Sequence, residues 1–255
     1  LAFSVWGLYL WMRGRASERP CGWYVAGSLC MALVAGCRPQ LVALSLVAFP
    51  LFWRRYVTQR RLFTAAGARE FACLIAPYFV VAAGLMWYNW ARFGSIFEFG
   101  HNYLPEFTRD PEFPQMGLKY ILPNIRSILR LPYMNEGRLE FPIFNGFAFW
   151  LVNPLYVTAA ISFAINAIRC RLDASDVLIM GGICVEILLL LMHKTFGGWQ
   201  YGTRYLCDPL PVMLLLQLRH RKKVDWWEYL IGGLGIAFTL YGVTTFRIMD
   251  IERHS

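Results

Sequence analysis

The 255-residue chain is 57% hydrophobic and 16% charged, and its mean hydropathy is +0.42. A soluble domain carries roughly a quarter charged residues, so this composition excludes an ordinary globular surface and favours a membrane protein. The net charge of +9 does not indicate nucleic-acid binding, because the basic residues separate apolar segments and do not cover one soluble face.

The apolar residues are gathered into blocks that predict membrane helices. The blocks cover residues 1–12, 22–36, 40–53, 70–91, 144–168, 176–193, 205–218 and 228–246. We predict an all-α fold, a polytopic transmembrane helix bundle in which residues 1–255 form a single membrane-embedded domain. The blocks 22–36 and 40–53 are shorter than the roughly 20 residues of a full span, so they predict two short helices that meet at Arg38-Pro39.

The first block begins at Leu1, with no charged segment before it. This start differs from a signal peptide and is typical of the tail of a helix. We therefore expect the chain to be the C-terminal part of a longer protein.

The short loops between blocks alternate between strongly basic and weakly basic sequence. The basic clusters are Arg13, Arg15 and Arg19; Arg54, Arg55, Arg60, Arg61 and Arg69; Arg169 and Arg171; and Arg219, Arg221, Lys222 and Lys223. The positive-inside rule places these clusters in the cytoplasm. The other set, which contains Arg38-Pro39, residues 92–143, residues 194–204 and the C-terminal tail, is then extracytoplasmic. We predict a multi-pass protein of the cell membrane, bacterial plasma membrane by preference, with its working face outside.

The stretch 92–143 is far longer than a usual connection. Within it, residues 117–134 alternate apolar and basic positions at helical spacing, with Leu122 and Ile125 on one side and Arg126 on another. The pattern predicts an amphipathic helix that Pro123 kinks. The helix either lies in the membrane interface or packs on the protein's own surface.

Arg38 lies between two apolar runs, at a break that Pro39 enforces. A guanidinium near the outer membrane edge is costly unless it is paired, and its planar fork suits a phosphate. Arg38 is therefore a candidate phosphate ligand. The alternative is an arginine that reaches the lipid head groups or pairs with a neighbouring carboxylate.

The segment GGWQYGTRYLCDPLP at 197–211 is the second candidate. Its glycines permit a tight loop, Trp199 and Tyr201 offer flat faces for a sugar ring, and Arg204 would enter the membrane from outside. Arg38 and Arg204 together could hold one polyprenyl phosphate or pyrophosphate. The alternative is an aromatic belt with a structural Arg204–Asp208 pair.

Two further features carry weaker indications. The segment WYNWARFGSIFEFGHNY at 87–103 contains Arg92, Glu98 and His101 among interfacial aromatic residues, but too few ligands to predict a metal site. Glu186 lies in mid-span, where a structural hydrogen bond or proton coupling would explain a carboxylate.

Sequence motifs for other chemistry are absent. The chain contains no GxSxG, Walker A or HExxH pattern, so nothing predicts a nucleotide-driven enzyme or a zinc hydrolase. The seven cysteines include no CxxC pair, so they give no zinc or redox signature. No metal or cofactor is predicted.

Three segments together resemble the GT-C superfamily of polytopic membrane glycosyltransferases, in particular its mannosyltransferase-like and aminoarabinose transferase-like branch. The segments are AGSLCMALVAGCRPQLVAL, WYNWARFGSIFEFG and GGWQYGTRYLCDPLPVMLLL, and the likeness extends from residue 22 to about residue 219. The third is similar to a late element of many members that combines glycine, Arg-Tyr-Leu and two prolines.

The resemblance implies transfer of a sugar from a polyprenyl-phosphate donor to an acceptor on the extracytoplasmic side. Arg38 and Arg204 would bind the donor phosphate. The substrate cavity would include Gln40, Arg92, Trp199, Gln200 and Tyr201. The superfamily's catalytic acid follows its first membrane helix, which here would precede Leu1, so no catalytic residue is assigned and the chain alone is expected to be inactive.

Two other functions stay open. A lipid-linked sugar transporter or flippase could use Glu186 and Arg38 along a translocation path. A non-catalytic membrane scaffold is the third. The predicted partner is the lipid bilayer for all three functions. For the glycosyltransferase and the transporter it is also a polyprenyl-phosphate-linked sugar.

Overall fold

The computed structural model describes residues 1–100, 103, 114–135, 137–142, 144–220 and 223–254. These residues are mostly helical. The helices are α1 Ala2–Ala16, α2 Cys21–Cys37, α3 Ala48–Trp53, α4 Ala65–Phe93, α5 Ile121–Leu129, α6 Phe149–Val152, α7 Leu155–Ile168, α8 Ala174–Leu191, α9 Leu210–Arg219 and α10 Trp226–His254. Shorter 3₁₀ segments occupy Pro39–Val47, Arg61–Phe63, Leu118–Tyr120 and Arg204–Cys207, and a π-helical turn covers Arg54–Thr58.

The fold is not purely α-helical. Strands β1 Tyr133–Asn135 and β2 Arg138–Glu140 form a two-stranded antiparallel hairpin in which Met134 pairs with Leu139. The apolar block 144–168 is also broken, since α6 ends at Val152 and α7 begins after Pro154. Proline removes a backbone donor, which explains the break.

Three helical stretches are long and apolar enough to cross a membrane. They are Pro39–Thr58, Ala65–Phe93 and Ala174–Leu191, and two shorter apolar helices are Cys21–Cys37 and Leu155–Ile168. The break at Arg38-Pro39 is present: α2 ends at Cys37, Arg38 has extended backbone angles, and the 3₁₀ segment starts at Pro39.

The chain divides into two compact units. The first comprises Leu1–Pro114 and Ala174–Gly182, and the second comprises Gln115–Asp173 and Ile183–Ser255. The prediction of one membrane domain over residues 1–255 stays a prediction.

The first unit is built on a close pairing of α1 with α2. Trp11 is buried between them and donates its indole N–H to the Ser28 hydroxyl at 3.0 Å. A Cβ atom at Gly27 would lie 2.6 Å from the Trp11 ring, so only glycine permits this approach. Phe52 of α3 completes the core, with its ring centroid 5.8 Å from Trp11 and 5.3 Å from Tyr24.

The second unit has an aromatic core around Phe147, which is fully buried. Phe141 and Tyr201 pack against it with ring centroids 5.2 Å and 5.0 Å away. The Tyr156 hydroxyl of α7 donates to the carbonyl of Leu206 at 2.6 Å, and Leu206 lies in the 3₁₀ segment that precedes α9. This core fixes the position of the loop that precedes α9.

The amphipathic segment forms the 3₁₀ turn and α5, but Pro123 does not kink it. Pro123 lies in the first turn of α5, where backbone N–H groups have no partner within the helix, so proline is accommodated there. Asn124 and Ile128 face the protein, and the Asn124 side chain donates to the carbonyls of Leu191 and His193 at 2.8 Å and 2.9 Å. Helix α5 is thus anchored on the end of α8, while Leu122 and Leu129 remain exposed.

Candidate functional site: an arginine loop before α9

The loop between α8 and α9 turns on two adjacent glycines. Gly197 and Gly198 have φ angles of +103° and +62°, a region in which other residues are strained. The buried Gln200 side chain then folds back over the turn. Its Nε2 donates to the Phe196 carbonyl at 2.8 Å, and its Oε1 accepts the Arg204 backbone N–H at 3.2 Å. Gln200, predicted as a cavity residue, therefore holds the loop in shape.

Arg204 projects from this turn and is exposed. One guanidinium nitrogen, Nη2, donates to the Gly197 carbonyl at 3.0 Å, and the guanidinium carbon lies 5.5 Å from the Tyr205 ring centroid. Within the described residues these contacts, and not an ion pair with Asp208, hold the side chain. A neutral carbonyl leaves the positive charge uncompensated, and a guanidinium has further donors for an anion.

The two aromatic residues that were predicted to line the substrate cavity, Trp199 and Tyr201, differ in how far a ligand can reach them. Trp199 is 69% exposed, and its ring stands edge-on to Phe144 at 5.6 Å between centroids. Tyr201 is half-buried in the aromatic core, and its hydroxyl donates to the Phe238 carbonyl at 3.1 Å. Burial raises the pKa of Tyr201 to about 12. Trp199 is therefore the aromatic face that a ligand could reach, and Tyr201 anchors the loop.

Arg38 and Gln40 belong to the first unit, and both are half-buried. The Arg38 backbone joins the two helices, since its N–H donates to the Val34 carbonyl at 3.3 Å and its carbonyl accepts the Leu41 N–H at 2.9 Å. The arginine is thus placed where α2 ends, at the predicted break.

Arg92 also lies in the first unit, exposed in the last turn of α4. Its Nη1 donates to the Tyr88 hydroxyl at 2.7 Å, and its guanidinium carbon is 5.1 Å from the Phe93 ring centroid. A cation suits this end of a helix because it faces the negative end of the helix dipole.

The predicted site residues therefore fall into two groups. Trp199, Gln200, Tyr201 and Arg204 share one loop of the second unit, whereas Arg38, Gln40 and Arg92 lie in the first unit. A pocket shared by Arg38 and Arg204 stays a prediction.

Sequence reasoning missed an ionic cluster in the first unit. Glu70 of α4 is buried and accepts hydrogen bonds from Arg55 at 3.0 Å and from Arg61 at 2.6 Å. The Tyr56 hydroxyl donates to the same carboxylate at 3.2 Å. The sequence feature that could have indicated this cluster is Glu70, a single acidic residue that directly follows Arg69, the last of the five arginines between residues 54 and 69.

A second polar cluster was also missed, in the second unit. The Gln217 side-chain amide donates to the Glu228 carboxylate, which also accepts the Asp225 backbone N–H at 2.9 Å. The spacing Asp225-x-x-Glu228 is a capping box, so the start of α10 could have been found from sequence.

The described residues contain no group of three or more His, Cys, Asp or Glu side chains that could hold a metal ion. Glu98 accepts the Gly100 N–H at 2.9 Å, and His101 lies outside the described residues.

Comparisons of the chain with protein-family models, with curated proteins and with solved structures found no match.

Proposed function

We propose that the chain is part of an integral membrane glycosyltransferase. In this proposal the complete protein takes a sugar from a polyprenyl-phosphate donor and transfers it to an acceptor at the extracytoplasmic face of the plasma membrane. The loop at 197–204 contacts the donor, and Arg204 binds its phosphate.

Membrane placement is supported by the surface of α4. Phe79 and Val80, in the middle of this 29-residue helix, are each 70% exposed. Large apolar side chains in such a position favour contact with lipid. Trp87 and Trp90 are also largely exposed near the helix end that carries Arg92, as expected for aromatic residues at the membrane–water boundary.

The contact of Arg204 with the Gly197 carbonyl is the observation that carries the donor assignment. The carbonyl orients the guanidinium without neutralising it, so the side chain is prepared for an anion such as a phosphate. The exposed ring of Trp199 lies in the same loop and offers a surface for a sugar.

The test is a transfer assay with the complete protein and a polyprenyl-phosphate sugar. Arg204→Ala and Arg38→Ala are expected to abolish transfer while membrane insertion stays intact. Arg171→Ala is the matched control, since Arg171 is an exposed arginine in a cluster predicted to be cytoplasmic. Full transfer by the Arg204 variant would reject the donor site.

A lipid-linked sugar transporter is the second candidate, favoured by the complete burial of Glu186 in α8. An ionisable group inside a membrane helix often marks a transport path. In proteoliposomes a transporter would move the labelled lipid between leaflets without any acceptor, and Glu186→Gln would stop it. A glycosyltransferase would instead require the acceptor and release the polyprenyl phosphate.

A further inference from the structure

Helix α5 and the 3₁₀ turn before it have three faces of different chemistry. The face that packs on the protein is buried and consists of Asn124, Ser127 and Ile128. A second face consists of exposed leucines at intervals of four and seven residues. These are Leu118, Leu122 and Leu129, which are 73%, 56% and 52% exposed. A row of exposed leucines on one side of a helix marks an interaction surface.

The third face of the helix is basic. Arg126 and Arg130 are one turn apart and exposed, and Lys119 lies seven residues before Arg126, on the same side. Residues 114–135 contain no aspartate or glutamate. The first acidic residue after them that the structure describes is Glu140, whose carboxylate already accepts two side-chain hydrogen bonds within the hairpin. The side of α5 next to the leucines therefore carries positive charge.

The buried face fixes the position of α5 at the end of α8. Asn124 donates to the carbonyls of Leu191 and His193 at 2.8 Å and 2.9 Å. Residues 115–117 pair with residues 192–194 through two backbone hydrogen bonds of 2.8 Å and 2.9 Å. Helix α8 is one of the helices long and apolar enough to cross a membrane, and a span of this kind ends at the membrane interface. Helix α5 is thus held at the level where such a span ends.

We propose that α5 lies in the membrane interface at the C-terminal end of α8 and contacts lipid directly. The leucine face meets the acyl chains of that leaflet, and the basic face meets the phosphate groups of its lipids. An amphipathic helix in the interface buries its apolar face by roughly 5–10 Å, and long basic side chains reach the head groups from there. The proposal rests on the membrane placement of the proposed function and on none of its transfer chemistry.

A lipid surface fits both exposed faces of α5 at once. In a leaflet the acyl region and the phosphate layer are adjacent, and the leucines and arginines of α5 are adjacent in the same way. A protein partner or a second copy of the chain would cover the leucines, but it would not require them to lie at the end of a membrane span. The position on α8 therefore favours lipid.

The collision rates of a spin label measure how deep each face lies. A genetically encoded keto amino acid that carries a nitroxide leaves the seven native cysteines unchanged. The full chain is reconstituted in vesicles of phosphatidylethanolamine and phosphatidylglycerol. Oxygen concentrates in the acyl region and a soluble nickel chelate stays in water, so the ratio of the two collision rates reports depth. Only labelled chains that unfold in detergent at the wild-type temperature are compared.

Labels at Leu122 and Leu129 are expected to give an oxygen-to-nickel ratio about fivefold higher than a label at Pro123, because the apolar face is the buried one. Pro123 is the matched control, since it is exposed and adjacent to Leu122 in sequence but lies on neither the leucine face nor the buried face. A label at Phe79, which is 70% exposed in the middle of α4, reports the membrane placement itself.

Equal ratios at Leu122 and Pro123 would overturn the proposal. So would a label at Leu122 that neither reagent reaches, because a second copy or another protein would then cover the leucine face. If Phe79 gives a high ratio in either case, the membrane placement stands and only the role of α5 fails. A low ratio at Phe79 would overturn both.

Nickel attached to the head group of a chelating lipid tests the basic face. A label at Arg126 is expected to collide with this nickel about twofold more often than a label at Leu129 or Pro123, because the phosphates lie between the acyl region and water. Arg130 and Lys119 still hold the helix when Arg126 is replaced. Equal collision rates at the three positions would refute the phosphate contact. Neither measurement needs a sugar donor, so this proposal and the donor site can fail separately.

Discussion

The two units of the chain hold arginine side chains in different ways. In the first unit, Arg55 and Arg61 converge on the buried Glu70, so two cations share one carboxylate. In the second unit, Arg204 is oriented by the neutral Gly197 carbonyl. The first arrangement uses charge to fix the turn before α4, and the second keeps a charge available at an exposed position.

The difference teaches that a count of arginines does not identify a binding site. The cluster from Arg54 to Arg69 is the richest in the sequence, yet two of its members are committed to an internal ionic contact. Residues 195–203, which precede Arg204 in its loop, contain no lysine or arginine. The Gly197 carbonyl that holds the Arg204 side chain is neutral, so it leaves the charge of the guanidinium uncompensated. The predictions that follow test whether the first group is structural and the second is not.

Removing the shared carboxylate should have the largest effect. Glu70→Ala leaves two arginines without their partner, and breaking a buried ion pair in this way costs about 3 kcal/mol. Glu70→Gln keeps an acceptor and should lose less. Unfolding of the purified chain in detergent, followed by circular dichroism, measures both. A stability of Glu70→Ala equal to the wild type would show that the cluster is dispensable.

Disturbing the turn that presents Arg61 should have the next largest effect. A Cβ atom at Gly67 would lie well inside contact distance of the Arg61 carbonyl oxygen, so Gly67→Ala must move backbone and should cost about 2 kcal/mol. The same change also strains the cap at the start of α4, where the Thr64 hydroxyl accepts the Gly67 N–H at 3.1 Å.

Gly84, in the same helix, is the control for Gly67→Ala. A Cβ atom there meets nothing within 4 Å, so Gly84→Ala should stabilise the helix by about 0.5 kcal/mol. A loss of stability in Gly67→Ala together with a gain in Gly84→Ala would support the tight turn at Gly67. Equal changes in the free energy of unfolding of the two variants would contradict it.

Arg204→Gln should change stability by about 1 kcal/mol or less, since an exposed hydrogen bond to a neutral carbonyl is weak. Arg55→Gln, which removes a partner of Glu70, should cost more in the same unfolding assay. An equal loss in the two variants would mean that Arg204 is structural as well.

Much of the helical pattern could be predicted because apolar content and length decide it. The break at Arg38-Pro39 followed from proline, and the long helix at 65–93 from its uninterrupted apolar run. The hairpin at 133–140 was missed, because strands of three residues give no periodic signal.

The tertiary contacts of individual side chains could not be predicted from the sequence. The same pattern that predicted a kink at Pro123 also allowed a helix that starts two residues earlier, at Ile121. The position of that first turn depends on the hydrogen bonds of Asn124 with the end of α8. Similarly, Gln200 and Tyr201 are polar loop residues in sequence, but the fold turns one onto the backbone and the other into the aromatic core.

The smallest expected effect concerns Tyr201, which ties the arginine loop to α10. Tyr201→Phe removes the hydrogen bond to the Phe238 carbonyl but keeps the ring contacts with Phe141 and Phe147. The loss should be about 0.5 kcal/mol at neutral pH, at the low end for a single neutral hydrogen bond. Unfolding measurements of both proteins between pH 7 and about pH 12 provide the check.

The pH dependence of the unfolding free energy distinguishes the contribution of the Tyr201 hydroxyl from that of its ring. Burial raises the folded-state pKa of Tyr201 to about 12, whereas an unfolded tyrosine ionises near pH 10. Since the unfolded chain loses this proton first, the contribution of Tyr201 is intact below pH 10 and is lost as the pH rises towards 12. Tyr201→Phe should therefore lose less stability than the wild type over that interval. Parallel curves for the two proteins would mean that the hydroxyl is hydrated, and that the loop around Arg204 is held by its glycine turn and Gln200 alone.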